Sequence, residues 1–296
     1  MPNWYATREA VKRAVRLKGN EGDEAVDRLI EAASRDVDNM THRWFIPQTL
    51  TRLFPWPGVL GSGLVLWMDA DLLSVTTLQT KAQDSSPTTV ASTDYFVEPA
   101  NLTPKSRIEI DRSSSAAFSA GDTSQRSISV LGSWGYSADT KSVGTVDGSG
   151  LASSSSATSF ACSNGSLTSG INVGDTLLIE SEQAFVSEKA SAALASILTD
   201  GALTADQSES VVVDSGHGLS VGEVILVDSE QMLVRVAGTT SLTVERAYNS
   251  TTLASHSTNT AVHVFRTLTI ERGVNGTTAA THADTTTITA YLAPGP

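Results

Sequence analysis

The chain has 296 residues, of which 40% are hydrophobic and 6% aromatic, and its formal net charge is −12. This length is sufficient for two or three domains with buried cores, and the acidic charge argues against a general DNA-binding protein, because phosphate contacts need lysine and arginine. The single cysteine, Cys162, excludes an intrachain disulfide bond and a cysteine-rich zinc site. No apolar run approaches the roughly 18 residues of a membrane-spanning helix, and the N-terminus lacks the apolar stretch of a signal peptide.

Two amphipathic helices are predicted at the start of the chain. The first spans about residues 7–18, with Thr7 as its N-cap and Gly19 directly after its end. The second spans about residues 23–44 and carries one apolar stripe at helical spacing. The short polar turn between them predicts a helical hairpin.

One face of the first helix is basic, and it contains Lys12, Arg13, Arg16 and Lys18. Two interpretations of this face are open. It faces DNA or an acidic partner, or it is a solvated helix surface, which is the more common use of a run of charges.

A series of short strands follows the helices. The strands are predicted over residues 50–54, 63–68, 73–80, 94–99, 106–111 and 127–136. Segments rich in proline, glycine, serine and aspartate separate them. The even spacing indicates a small antiparallel sheet, so residues 1–145 are predicted to form one domain with the helical hairpin.

The order of these elements, together with several short phrases, resembles the head–tail connector (adaptor) family of long-tailed double-stranded DNA bacteriophages. The phrases are THRWF (41–45), WMDADLLSVTTL (67–78), DYFVEPAN (94–101) and ISVLGSWGY (128–136). The resemblance covers roughly residues 5–140 and contains no catalytic signature.

This resemblance implies a structural protein of the virion neck that is made in the host cytoplasm. Subunits of the family assemble side by side into a ring, usually of twelve copies, between the portal protein and a downstream neck or tail protein. Such a ring lines the passage for double-stranded DNA, which it contacts only transiently and without sequence specificity. The resemblance implies no enzymatic activity and no cofactor.

The second half of the chain contains two duplicated phrases. VGDTLLIESEQAFV (173–186) and VGEVILVDSEQMLV (221–234) are identical at seven of fourteen positions. LTVERAYNSTTLASHSTNTAV (242–262) and LTIERGVNGTTAATHADTTTI (268–288) are identical at ten of twenty-one. Gap-free similarity of this length indicates an internal repeat.

Along the chain, both copies of the first phrase come before both copies of the second phrase. This order predicts a module inserted into its own duplicate, because a hairpin tip tolerates insertion. The outer β module would comprise residues 159–190 plus 267–296, and the inserted inner module residues 209–266. Residues 146–158 are predicted to be a linker, and residues 188–208 a second linker with helical character. An exchange of halves between modules or subunits is the alternative.

The fold class predicted for the whole chain is therefore α+β. It comprises an N-terminal helical hairpin with a small antiparallel β-sheet, followed by two small all-β modules of barrel or sandwich type. Alternating apolar residues in both copies of the first phrase support the β assignment.

Polar residues that could carry chemistry recur in both modules. They are Glu182 and Glu230 in the two copies of the first phrase, and Glu245-Arg246 with His256 and Glu271-Arg272 with His282 in the two copies of the second. Each module has one such histidine, whereas a metal site requires three or four converging ligands. A structural Glu–Arg pair is the preferred interpretation, with no catalytic, cofactor-binding or metal-binding residue assigned. Asn275 and Gly276 are predicted to form a tight turn.

Two other functions are compatible with the sequence. A virion decoration or host-attachment protein would use the β modules to bind carbohydrate, although the paired N-terminal helices argue against it. A hydrolase would use the duplicated Glu182 and Glu230. The structural neck protein remains the leading expectation.

Overall fold

The computed structural model describes residues 3–17, 19–20, 22–59, 63–148, 150–153, 158–163, 170–198, 203–206 and 210–292. Two N-terminal helices precede strands that pair in an antiparallel manner, which confirms the predicted α+β class. The helices among the described residues are too short or too polar to cross a membrane.

The chain forms two compact units. One contains Asp36–Asp139 and Asn275–Thr277, and the other contains Met1–Arg35, Thr140–Val274 and Thr278–Leu292. This division differs from the predicted first domain of residues 1–145. The difference arises because the N-terminal segment binds to strands of the second half, through contacts described below.

Both helices end earlier than predicted. Helix α1 spans Arg8–Val15, and the Thr7 side chain caps it by accepting a hydrogen bond from the Ala10 amide at 3.3 Å. The predicted end near residue 18 is wrong, because Arg16 adopts a left-handed conformation with φ of 56°. Helix α2 spans Asp23–Thr41 rather than continuing to residue 44, since His42 also has a positive φ.

The first sheet has six antiparallel strands in the order β1-β6-β2-β5-β4, with β3 beside β2. The strands are β1 Gln48–Phe54, β2 Val65–Thr80, β3 Thr88–Val90, β4 Tyr95–Glu98, β5 Lys105–Ile110 and β6 Ile128–Trp134. Residues 63–68 and 73–80, predicted as two strands, lie largely within the single strand β2, which begins at Val65. Register shifts let β2 pair with β5 along its first part and with β6 along its second.

The core of this sheet lies under β6, whose residues alternate between buried and partly buried. Trp134 is fully buried, stacks on Phe54, and donates its indole N–H to the Leu50 carbonyl at 3.1 Å. Gly132 is required where β6 passes the irregular part of β2, because a Cβ atom there would lie 2.1 Å from the Ser74 carbonyl oxygen.

The second half forms one continuous antiparallel arrangement of ten strands. They are β7 Thr140–Val146, β8 Ser159–Ser163, β9 Thr176–Ile179, β10 Glu182–Ile197, β11 Ser210–Val212, β12 Val224–Val227, β13 Glu230–Ala237, β14 Ser241–Glu245, β15 Ala261–Arg272 and β16 Thr287–Tyr291. The predicted helical character of residues 188–208 is wrong where the structure describes it, because β10 continues to Ile197 and pairs with β15.

Six strands close into a cycle that we call the outer strand ring. The pairing runs from the first part of β10 through β9, β16, β7, β8 and the second part of β15 back to β10. It encloses a separate hydrophobic core that includes Leu177, Val186 and Ile288.

A second cycle, the inner strand ring, uses the remaining parts of the same two long strands. The pairing runs from the second part of β10 through β15, β12, β13, β14 and β11. A bridge between Leu198 and Val213 returns it to the end of β10. Its own core includes Ile225, Val234 and Val262.

The two strand rings correspond strand for strand. The pairs β9–β10 and β12–β13 carry the two copies of the first phrase. The pairing of β10 with β15 and that of β13 with β14 have a register shift at the same place, after Val186 and after Val234. The inner ring is inserted between the β10 and β15 segments of the outer one. Each of the two long strands therefore belongs to both rings.

Candidate functional site

The outer strand ring contains a buried ion-pair cluster centred on Glu182 at the start of β10. Arg272, at the end of β15, donates to both carboxylate oxygens of Glu182 at 2.6 Å. The amides of Gly273 and Ala280 donate to the same carboxylate at 3.1 and 2.9 Å. The His282 ring completes the set, with Nε2 2.8 Å from Glu182.

Arg272 and His282 have further partners. Arg272 also donates to the carbonyls of Ala152 and Ala280, at 2.7 and 2.5 Å. His282 places its Nδ1 2.8 Å from the Glu180 carboxylate, and its backbone pairs with that of Leu151. The cluster therefore joins three segments of the chain that are distant in sequence.

The inner strand ring repeats this cluster around Glu230. Arg246 donates to the two carboxylate oxygens at 2.7 and 2.8 Å, and the amides of Ala247 and Ala254 donate at 2.9 and 3.0 Å. The His256 Nε2 lies 2.9 Å from Glu230.

The contacts that the arginine and the histidine make beyond the central glutamate also recur in the inner strand ring. His256 Nδ1 lies 2.7 Å from Asp228, which occupies the place of Glu180. Arg246 donates to the carbonyls of Thr204 and Ala254 at 3.2 and 2.6 Å, as Arg272 does to Ala152 and Ala280. The duplication thus extends from the sequence phrases to individual hydrogen bonds.

Both central carboxylates are inaccessible to solvent and strongly stabilised as anions. Burial alone raises the pKa of Glu182, but the hydrogen bonds from Arg272, the Ala280 amide and His282 outweigh it and lower the pKa to about 2. The pKa of Glu230 is lowered to about 2 by the equivalent donors, against the same effect of burial. Both groups are therefore ionised at neutral pH.

Each histidine bridges a buried and an exposed carboxylate. In each cluster one ring nitrogen faces the buried glutamate and the other faces an exposed carboxylate. The histidine therefore links the buried ion pair to the surface of its strand ring.

This arrangement fixes backbone positions rather than presenting a reactive group. Each buried glutamate accepts hydrogen bonds from an arginine, a histidine and two amides, so its oxygens already have donors. Across the described ranges, no group of three or more histidine, cysteine or acidic residues has the geometry to hold a metal ion.

The sequence identified the six central residues of the clusters but missed their outer members. Glu180 and Asp228 each lie two residues before the buried glutamate, in the repeated pattern Glu-Ser-Glu and Asp-Ser-Glu. That acidic residue in both copies was the available signal. The carbonyl partners, Ala152 and Thr204, left no side-chain signal.

The turn residues after each arginine also correspond between the rings. Asn275 has φ of 56° and Gly276 has φ of 79°, both in the left-handed region predicted for this turn. At the equivalent place in the inner strand ring, Asn249 and Ser250 have φ of 51° and 63°.

The basic face of α1 is partly engaged by neighbouring groups. Lys12 forms an ion pair with Asp23 and donates to the Gly19 carbonyl at 2.5 Å. Arg13 donates to the Tyr248 hydroxyl at 3.3 Å. Arg16 is exposed, and Lys18 lies outside the described residues.

The N-terminal segment binds the outer strand ring, which the sequence did not indicate. The Arg8 amide donates to the Val173 carbonyl at 3.0 Å, and the Val173 amide donates to the Glu9 carboxylate at 3.1 Å. The Arg8 guanidinium donates to Glu188 at 3.2 Å. The Trp4 ring packs edge-on against Phe185 with centroids 5.1 Å apart.

Two further features of the outer strand ring bear on chemistry. Cys162 is buried, and that burial raises the pKa of its thiol to about 12, so the thiol is protonated at neutral pH. A surface depression is lined largely by hydroxyl groups. Its lining residues are Thr140, Leu178, Glu180, Thr285, Thr286, Thr287 and Thr289.

In three comparisons with known proteins, no family model, no curated protein and no solved structure matches this chain.

Proposed function

We propose that this chain is a non-enzymatic structural subunit of a bacteriophage neck. Several copies, twelve by resemblance to the connector family, form an oligomeric ring between the portal protein and a downstream neck or tail protein. In this proposal the second half is a pair of related β-barrel modules, one inserted into the other, which extends the connector domain. The protein acts in the virion and uses no cofactor.

The observation that carries the proposal is that the buried, duplicated glutamates already have hydrogen-bond donors from the chain itself. Glu182 and Glu230 are fully buried, ionised and surrounded by donors from the chain itself. A general acid or base must reach a substrate and exchange a proton near the working pH. Carboxylates with a pKa of about 2 inside a closed set of hydrogen bonds suit a structural role.

The first sheet supports assembly by presenting an exposed aromatic face. Trp67 on β2 and Phe96 on β4 are 64% and 55% exposed. Residues of β5 lie between them in register, and Arg107 lies over the Trp67 ring at 5.4 Å. Exposed aromatic side chains next to an arginine are typical of protein interfaces. We propose this face as a contact between copies.

Contact with DNA in this proposal is weak. The net charge of −12 disfavours tight binding to phosphates, and Lys12 and Arg13 of the predicted basic face already have partners. Among the residues that the structure describes, Arg13 and Arg16 of this face are exposed. A tunnel through which DNA slides requires this weak contact.

Microscopy of particles that contain this chain tests the proposal. We expect a ring of identical copies at the neck, and purified chain that forms the same ring in light scattering. Trp67→Glu is expected to convert the oligomeric rings into smaller species. Val236→Glu, which changes an exposed residue in the other compact unit, is expected to leave the oligomeric rings intact. A single copy per particle, or absence from the neck, would contradict the proposal.

A second candidate is a decoration or attachment protein that binds carbohydrate. The hydroxyl-lined depression beside Glu180 is the observation in its favour, since sugars bind through hydrogen bonds to such groups. A glycan-binding screen with the full chain separates the two functions. Specific binding that is lost on Thr287→Val supports the second candidate, and the structural function predicts no specific glycan.

A further inference from the structure

The surface of the outer strand ring that binds the N-terminal segment has a counterpart in the inner strand ring. In the outer ring, this surface consists of Val173, Phe185 and Glu188, which contact Arg8, Glu9 and Trp4. The alignment of the duplicated phrase, continued by two residues, places Val221, Leu233 and Val236 at the same three positions of the inner ring. We call these three residues the inner docking surface.

The backbone supporting the two surfaces is the same. The Gly174 amide donates to the Val186 carbonyl at 2.9 Å, and the Gly222 amide donates to the Val234 carbonyl at 2.8 Å. The register shift that precedes Glu188 in β10 recurs before Val236 in β13. The two surfaces therefore present their side chains from equivalent backbone positions.

The two surfaces differ in what covers them. Val173 lies under the N-terminal segment and is 2% exposed, whereas Val221 is 53% exposed. Val236 is 56% exposed and replaces Glu188, whose side chain is also exposed at 60%, with an apolar group, while Leu233 and Phe185 are both buried. In the outer ring a single residue, Arg8, reaches both Val173 and Glu188. A single residue of a similar segment would thus reach both exposed valines.

We infer that the inner docking surface binds the start of a helix from a partner protein. The occupant has the chemistry of residues 4–15, with a large apolar side chain ahead of the helix and a carboxylate in its first turn. At the position of Arg8 it carries an apolar residue, because Val236 offers no carboxylate. Val221 is an exposed apolar group at a position that the N-terminal segment covers in the duplicate module, and this difference points to the contact.

The chain's own N-terminal segment is not available for this surface. Arg8 pairs with Asp27 at 2.5 Å and with Glu188 at 3.2 Å, and these contacts hold the segment on the outer strand ring. A second copy has its segment engaged in the same way. A different protein is therefore the occupant, and this inference is independent of the neck assignment.

Two synthetic peptides of residues 3–17 provide the probes, one with the natural sequence and one with Arg8→Leu. Each is labelled with a fluorophore and titrated with the full chain. We expect the Arg8→Leu peptide to bind one site per chain, about tenfold more tightly than the natural peptide, because it avoids burying an unpaired guanidinium. Isolated helices of this length are marginal in water, so both affinities will be low and their ratio is the informative quantity.

Three variants of the chain make the test specific. Val221→Asp is expected to abolish binding, and Leu102→Asp, at a position that is 65% exposed in the other compact unit, leaves it unchanged. Val236→Glu restores the charge found at Glu188 and is expected to reverse the preference in favour of the natural peptide. Circular dichroism confirms that each variant is folded.

The inference is overturned if neither peptide binds, if binding survives Val221→Asp, or if Val236→Glu leaves the preference unchanged. Amide chemical shifts locate the peptide directly. Perturbation at Val221 and Val236 supports the inference. Perturbation confined to Val173 and Phe185 overturns it, because the peptide would then displace the chain's own segment. Because Val236→Glu and Trp67→Glu act on different surfaces, this test and that of the neck proposal fail independently.

Discussion

The two strand rings contain the same buried cluster, yet each cluster closes a loop of very different length. In the inner ring, Arg246 lies 16 residues after Glu230, whereas in the outer ring Arg272 lies 90 residues after Glu182. Closing a longer loop costs more chain entropy, although the cost rises only slowly with length. Equivalent contacts therefore stabilise a local unit in one ring and a discontinuous one in the other.

The insertion reduces the difference in loop-closure entropy between the two strand rings once the inner strand ring is folded. Strands β10 and β15 run through both rings, so the folded inner ring holds their outer halves side by side. The outer ring then closes a short gap rather than a 90-residue loop. This comparison predicts a one-way dependence, in which the outer ring requires the inner ring and the inner ring does not require the outer.

Replacing the central glutamates should have the largest effect. Glu230→Ala and Glu182→Ala each leave a buried arginine and histidine without their shared carboxylate, and each should lower the free energy of unfolding by about 3–5 kcal/mol. Hydrogen exchange should show loss of protection in both rings for Glu230→Ala, but only in the outer ring for Glu182→Ala. Intact protection of the outer ring in Glu230→Ala would refute the dependence.

Acid should weaken both rings over the same pH range. The pKa of Glu182 and of Glu230 is about 2 in the folded chain, against an ordinary value of 4.5. Because the folded value is the lower one, their contribution is present above pH 4.5 and is lost as the pH falls towards 2. Urea unfolding across this range measures the effect, and Glu182→Gln should remove the part due to the outer ring.

Alanine substitutions at the equivalent Gly174 and Gly222 should have different effects, because the N-terminal segment covers only the surface of the outer strand ring. Gly174 has φ of 103°, and a Cβ atom there would lie 2.4 Å from the Trp4 ring. Gly174→Ala should cost about 1–3 kcal/mol through strain and displacement of Trp4. Gly222→Ala, with φ of 89° beside the exposed Val221, should cost about 1 kcal/mol through backbone strain. Tryptophan fluorescence should change only for Gly174→Ala.

The exposed carboxylates of the clusters should contribute least. The side chains of Glu180 and Asp228 are 62% and 58% exposed, so water screens their contact with His282 and His256. Glu180→Ala and Asp228→Ala should each cost less than about 1 kcal/mol in chemical denaturation. A loss as large as that of Glu182→Ala would show that the exposed carboxylate contributes as much to the cluster as the buried one.

Much of the fold was predictable because its signals are local. Helix α2 follows from apolar spacing, and the strands of both phrases follow from alternating apolar residues. The central members of the clusters were predictable because the repeat makes Glu182 and Glu230 recur together with an arginine and a histidine. Helix ends were less accurate, since the left-handed conformation at Arg16 has no glycine to indicate it.

The sequence alone determined the α+β class, the duplication and the candidate structural residues, because periodicity and repetition are present in short segments. Only the tertiary structure decided that Glu182 pairs with Arg272 rather than with Arg246, and that Trp4 and Arg8 bind the outer strand ring. These contacts join residues about 90 to 180 positions apart. A pattern in the chain cannot specify such a contact, because it depends on where folding brings distant backbone segments together.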